Sequence, residues 1–368
     1  MYRAIGFAAA FLTAVVSMAG DLPSDLRPGL FHRFGDNVTN PDGMSADKDG
    51  NLYISGPNFN NKAYPGVIYK FKDAKPCKAE LWFAAPVHPD TGIGAPMGQE
   101  WGADGALYYA DNQYFFDKNY KSRLMRVVVD EKGVPVRTEC VAEGFKLANA
   151  VRCDSKYVYV TDTFFDVPGK NQGGVYRIPY ADLKADKPAK LLPKKDAVKD
   201  PYCIAISETT VIPSRGDTAG ADGMCLDKDG NLYYGHFGDG KFFRISFKAD
   251  GTPSTPQLLS TALTCVDGIN YCAKRDWVFI NDSDRNAIRY WDIKKGTMNT
   301  LWINDDCDGA DGLLDQPCES IVVDGKLIIA CFDMPFPGLK NTKFDNINTM
   351  AVIDLDDGGC PFLGLFGL

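Results

Sequence analysis

The stretch Pro41-Asp-Gly-Met-Ser-Ala-Asp-Lys-Asp-Gly-Asn-Leu-Tyr53 returns later in the chain as Ala221-Asp-Gly-Met-Cys-Leu-Asp-Lys-Asp-Gly-Asn-Leu-Tyr233. Each copy reads as a strand, a tight Asp-Gly-type turn and a second strand. Weaker copies begin at Pro96, Ala148, Val266 and Cys318, so the plan recurs six times. A third stretch of alternating apolar residues closes every unit, at 66–71, 123–127, 174–178, 241–245, 287–291 and 349–353. A period of two is what a strand with one buried face requires. Six such units predict an all-β fold, a six-bladed β-propeller with four-stranded blades, built as a single domain over residues 20–368. Residues 29–34 precede the first unit. They are expected to pair in the last blade, closing the ring and hiding an edge that would otherwise aggregate.

Composition agrees with that architecture. The 368 residues include 36 Gly, 22 Pro, 17 Tyr and 22 Phe, the mixture that short strands and tight turns demand. Hydrophobic content of 45% and charged content of 24% exclude a disordered or collagen-like chain. The formal net charge of −8 argues against a nucleic-acid partner, which needs clustered Lys and Arg. A small molecule is the expected partner.

Residues 1–19 read as a secretory signal peptide. Arg3 supplies the positive start, residues 4–16 a short apolar run, and Ser17-Met18-Ala19 a small-x-small cleavage site before Gly20. No later segment reaches the length of a membrane span, and the apolar tail from Cys360 is expected to pack on the body. The expected localisation is secreted, or periplasmic in a bacterium. Eleven cysteines fit export to an oxidising compartment, so most are expected to be paired. Cys265/Cys272 and Cys307/Cys318 are near enough in sequence for local bridges, and Cys225, inside an apolar run, is the expected free thiol. Asn37 and Asn281 head sequons able to carry glycans.

The 221–234 segment, with its Asp-Gly-Met motif, resembles the signature blade of the senescence-marker-protein/gluconolactonase family. That family includes luciferin-regenerating enzymes and, more distantly, diisopropyl fluorophosphatase, paraoxonase and strictosidine synthase. The resemblance implies a divalent cation, usually calcium, at one mouth of the central channel, gripped by side chains that begin four of the six innermost strands. The residues in that place here are Asp42, Met97, Asn149, Asp222, Asp267 and Glu319. Oxygen donors converging from separate strands suit a hard cation. Numbering the ring from the chain start gives Asp42, Asn149, Asp222 and Asp267 as the four ligands. Taking Asp222 as the family's signature Asp gives instead Asn149, Asp222, Glu319 and Met97, and Met is a poor ligand for calcium. Both registers stay open; Asn149 and Asp222 belong to each.

The resemblance further implies a metal-dependent hydrolase of a lactone or related ester, with Asp222 attacking the carbonyl or activating water. A secreted propeller that binds a ligand without catalysis is the alternative, motivated by Met97. Other motifs carry less. The run from Asn304 to Asp315 has EF-hand-like spacing without flanking helices, and reads as a solvated acidic loop. Asp47-Lys48-Asp49 and Asp227-Lys228-Asp229 read as hairpin turns, and Arg215-Gly216-Asp217 as coincidence. Of three His, only His236 stands where a proton shuttle near the channel is conceivable. No serine-hydrolase elbow, phosphate-binding loop or dinucleotide motif occurs.

Overall fold

The computed structural model describes residues 22–23, 25–334, 336 and 339–355. The proposed signal peptide and the tail from Cys360 lie outside them. Six antiparallel blades follow one another in sequence. Their innermost strands are Met44–Ala46, Pro96–Trp101, Ala148–Cys153, Ala221–Leu226, Val266–Cys272 and Pro317–Val323, defining blades 1 to 6. The third strands lie where the alternation placed them. Gly29–Arg33 pairs antiparallel with Thr349–Asp354 as the outer strand of blade 6, so the ring closes as expected. One strand pair breaks the repeat: Ala189–Lys190, from a long loop of blade 3, adds a parallel fifth strand to blade 2.

Two repeated contacts explain the repeated sequence. The hairpin Asp turns inward on its own turn: Asp47 Oδ1 accepts the amides of Asp49 and Asn51, both at 2.9 Å, and Asp227 does the same for Asp229 and Asn231. A buried Tyr of the adjoining strand donates its hydroxyl to the same carboxylate, in Tyr53–Asp47 at 2.9 Å and Tyr233–Asp227 at 3.2 Å. Tyr108–Asp104, Tyr159–Asp154 and Tyr271–Asp276 repeat the pair in other blades. The ring of each Tyr fills the layer between blades while its hydroxyl stays bonded. These Asp are turn residues, as read from sequence.

The glycine after the leading residue of blades 1, 2, 4 and 5 has a different cause. A Cβ on Gly43 would lie 2.4 Å from the Met97 carbonyl, and one on Gly98 2.4 Å from that of Asn149. On Gly223 it would lie 2.0 Å from the Asp267 carbonyl, and on Gly268 2.5 Å from that of Cys318. Neighbouring innermost strands therefore touch backbone to backbone around the axis. Only a residue without a side chain fits the contact.

The cysteine reading needs correction. Cys77, Cys140, Cys153, Cys203, Cys225, Cys265, Cys307, Cys318 and Cys331 are thiols. Cys265 and Cys272 stand at opposite ends of the extended strand Val266–Cys272, a separation of about 20 Å at 3.3 Å per residue, which no disulfide spans. Cys318 points at the carbonyls of Pro41 and Ala330, and Cys307 at that of Leu314. Cys225 is a buried thiol, as expected. The sequon at Asn281 is closed as well: the residue is fully buried and its amide donates to the Gly268 carbonyl at 2.7 Å. Asn37 is exposed.

Candidate functional site

Because the blade-leading residues all begin the innermost strands, the fold carries Asp42, Met97, Asn149, Asp222, Asp267 and Glu319 to one mouth of the channel. Asp42, Asn149, Asp222 and Glu319 are buried, while Asp267 keeps some exposure. The acids feel one another. Burial, then the Glu319 charge, pushes the Asp42 carboxyl up to about 8. Burial and then the Asp42 carboxylate hold Asp222 well above the usual range, although Asp267 hydrogen-bonds to it. Asp267 is raised well above its ordinary value by burial and by Asp222, Asp42 and Glu319. Among the described residues, no Lys or Arg pairs with Asp42, Asp222 or Asp267.

Glu319 differs. Arg152, from the inner strand of blade 3, donates to its Oε2 at 3.0 Å and to the Ile269 carbonyl at 3.1 Å. The other oxygen accepts the Ser320 amide at 3.0 Å. Glu100 feels the charge of the same guanidinium, and burial raises its carboxyl to about 7 against the pull of Arg152. By contrast, Asp42 Oδ2 is buried with no hydrogen-bond partner. At the blade 2 position, the Met97 sulfur receives the Asn112 amide at 2.6 Å.

This donor set fits a hard divalent cation. Three carboxylates and the Asn149 amide are oxygen donors, one carboxylate oxygen is orphaned, and the net charge calls for a counter-ion. The acids stand on separate blades and are not tightly clustered. The three carboxylates whose oxygens do lie within 4.8 Å of one another are Asp315, Asp333 and Asp345, in the loops of blade 6.

Aromatic side chains cover the mouth. Phe336, from the blade 6 loop, packs on Phe115 of blade 2 at 6.3 Å, Phe237 of blade 4 at 5.6 Å and Phe332 at 6.2 Å. Phe59 of blade 1 meets Phe115 at 4.7 Å. Rings from blades 1, 2, 4 and 6 thus meet at one end of the ring. A surface depression of about 290 Å³ beside Phe164 and Lys170 lies in the blade 3 loop and includes none of the blade-leading residues.

His236 does not reach the channel. Its Nε2 meets Ser207 Oγ of blade 3 at 2.6 Å, and its Nδ1 meets Asp239 Oδ1 at 3.1 Å. All three side chains are buried between blades 3 and 4, and Ser207 does not line the neighbouring depression. The row clamps two blades together. Arg215 is spent on the Thr264 carbonyl at 2.9 Å and on Asp217, so the tripeptide is not displayed to a partner. Asn304 closes its own loop through Leu314, which rules out an EF-hand there. Sequence reading missed Arg152, Glu100 and the aromatic cover, because their residue types do not recur from blade to blade.

No family profile and no curated protein matches the sequence. Solved structures do match in fold. A luciferin-regenerating enzyme aligns with a TM-score of 0.55 at 12% identity, covering 91% of this chain and 98% of its own. A gluconolactonase from Xanthomonas campestris aligns at 0.52 and 12%, covering 93% and 99%. An aldose sugar dehydrogenase from Streptomyces coelicolor, bound to PQQ, aligns at 0.55 and 12%, covering 91% and 100%. Identities this low establish a shared six-bladed fold. Within the described residues no helix is long and apolar enough to cross a membrane. The fold hosts hydrolase and dehydrogenase alike, so chemistry is argued from the site.

Proposed function

We propose that the protein is a metal-dependent hydrolase of a lactone or related ester, with the cation held at the covered mouth of the channel. The observation that carries the reading is the trio Asp42, Asp222 and Asp267, with which no cationic side chain pairs among the described residues and which includes an orphaned buried oxygen. Glu319 has both oxygens engaged, which favours Asp42, Asn149, Asp222 and Asp267 as the ligand set and leaves Glu319 to orient Arg152. Calcium is the favoured ion on donor type. Bound there, it would polarise the substrate carbonyl as a Lewis acid.

In this reading Asp222 takes a proton from water as the water oxygen adds to the acyl carbon. The acyl C–O bond then breaks, and the same proton returns to the departing alkoxide. The aromatic cover excludes bulk water and offers apolar contact to the substrate body, which favours apolar lactones and esters over sugars. Similarity in fold to a gluconolactonase and a luciferin-regenerating enzyme supports the reaction class. We further propose export of the chain after cleavage behind Ala19.

Calorimetric titration of chelated protein with Ca²⁺, Mg²⁺, Mn²⁺ and Zn²⁺, followed by a lactone panel, tests the proposal. Asp222→Asn is expected to abolish turnover and the binding of metal at the channel mouth. Tight binding with no turnover on any lactone would favour the second reading, a ligand-binding propeller. That reading draws on Phe336 closing the mouth and Met97 standing where a donor belongs.

A further inference from the structure

The two loops that flank the inner hairpin of blade 6 bring three acids together away from the central channel. Asp315 directly precedes the inner strand and is fully buried; Asp333 follows the second strand and is 1% exposed. Asp345, on the return to the third strand, is exposed. One carboxylate oxygen of each lies within 4.8 Å of the others. Among the described residues, no Lys or Arg pairs with any of the three.

Hydrogen bonding accounts for only part of the cluster. Asp333 Oδ2 accepts the Asn346 amide at 2.9 Å, and Asp345 Oδ1 accepts that of Ile347 at 3.0 Å. Asp315 Oδ1 accepts the side-chain amide of Asn341. Asp315 Oδ2 and Asp333 Oδ1 are buried without partners. Asn341, a neutral residue only 1% exposed and in contact with Asp315, also has a buried carbonyl oxygen with no partner. Three orphaned oxygens in buried side chains are costly, because each has given up water without gaining a partner. A ligand that accepts lone pairs would satisfy them.

We propose that Asp315, Asp333 and Asp345, assisted by Asn341, bind a second divalent cation, Ca²⁺, that ties the two blade 6 loops together. All the donors are oxygen, which selects a hard cation. Irregular spacing with one solvent-facing carboxylate suits calcium, which takes six to eight ligands including water, better than octahedral magnesium. Burial, then the neighbouring carboxylates, raises Asp315 to about 8 and Asp333 to about 6, as expected of acids whose counter-charge is missing. The ion would brace the loop that carries Phe336. Asn60 and Asn40, from blade 1, already hold the Asp333 carbonyl, at 2.8 and 3.5 Å.

The site is independent of the central one, and the experiment keeps them apart. Chelated full-length protein is titrated with Ca²⁺ by calorimetry as wild type, Asp222→Asn, Asp315→Asn/Asp333→Asn and Asp345→Asn. Asp222→Asn is expected to retain one equivalent of calcium, and the blade 6 double variant to lose that equivalent while leaving any central binding in place. Asp345 is exposed, so Asp345→Asn folds, and removing its charge is expected to weaken this equivalent by roughly tenfold or more. The loop between residues 332 and 348 should resist proteolysis with Ca²⁺ present in Asp222→Asn and not in Asp345→Asn. An unchanged titration and digestion pattern in Asp345→Asn, measured in the Asp222→Asn background, overturns the proposal and leaves the cluster to shared protons.

Discussion

Arg152 of blade 3 reaches across the channel to Glu319 of blade 6, 3.0 Å away, and both side chains are almost wholly buried. Their separation in sequence is large, and no strand connects them. The pair acts as a strut between opposite walls of the ring, and it removes one carboxylate from the set available to a cation. Closure of a propeller is otherwise local, each blade touching its neighbours.

Breaking that strut by removing one partner leaves a buried charge alone. Arg152→Ala should destabilise the fold by about 3–5 kcal/mol, and Arg152→Met/Glu319→Met by much less, since apolar replacement of a buried pair is often neutral. Urea unfolding of the two singles and the double measures the coupling. Equal losses in single and double variants would mean that the two charges are independently solvated.

Stability of the metal-free protein should depend on pH in a definite direction. Asp42 and Asp315 are raised to about 8, and Asp222 and Asp267 are raised well above the ordinary carboxylate value. A raised acid binds its proton more tightly when folded, so its contribution is complete below the unfolded value near 3.9 and is lost as pH climbs through the folded value. The melting temperature in chelator is therefore expected to fall steadily between about pH 4 and pH 8. Ca²⁺ should restore it most at the alkaline end, where the carboxylates are free to bind. A chelated melting temperature that rises across this window contradicts the burial of the acids.

How much of this was legible in the sequence depends on whether a feature repeats. The strand, turn and strand units, the closing strand and the placing of Asp42, Asn149, Asp222, Asp267 and Glu319 at one mouth all follow from a six-fold pattern. Arg152 and Phe336 occur once each, and their roles depend on which blades face one another across the axis. Asp315 ends a run that reads as a solvated acidic loop, yet it is fully buried, because spacing does not report burial. The cysteines misled for a related reason. A count of eleven describes composition, whereas bridging needs the Cα atoms within about 7 Å.

The blade-to-blade glycines make a sharper test of the fold than any surface change. Gly223→Ala would force a methyl to within 2.0 Å of the Asp267 carbonyl. The two inner strands must part, at a cost of about 1–3 kcal/mol or more. Because Asp222 and Asp267 flank that contact, calcium affinity should fall together with stability. Gly29→Ala is the control: nothing lies within 4 Å of its Cβ position, so its change should stay within about 0.5 kcal/mol. A neutral Gly223→Ala would mean that the blades do not touch there.

Thiol reactivity follows exposure. Cys77 is exposed, whereas burial raises Cys140 to about 11, Cys203 to about 12 and Cys331 to about 12, and holds Cys153, Cys265 and Cys318 well above the ordinary thiol value. The thiolate is the reactive form, so native alkylation at pH 8 should modify Cys77 long before these six. Peptide mapping after a short pulse reads this directly. Non-reduced protein in which Cys307 or Cys318 resists alkylation even in denaturant would show a bridge that this fold does not contain.

The aromatic cover sets access to the acids beneath it. Phe336 alone contacts aromatic rings from blades 2 and 4 together with Phe332 of its own blade. Removing its ring should uncover the mouth, where burial is the first cause of the raised carboxyls at Asp42, Asp222 and Asp267. Phe336→Ala is expected to cost less than the roughly 3–5 kcal/mol typical of a fully buried Phe, because this ring is only half-buried. Its larger effect should be kinetic. Calcium loss to excess chelator, followed by stopped-flow with a fluorescent chelator, should accelerate severalfold. With water admitted, Asp42 should titrate closer to an ordinary carboxylate, and the alkaline loss of stability in chelator should shrink. If Phe336→Ala leaves both the release rate and that pH slope unaltered, the ring does not seal the mouth, and the acids owe their burial to the inner strands alone.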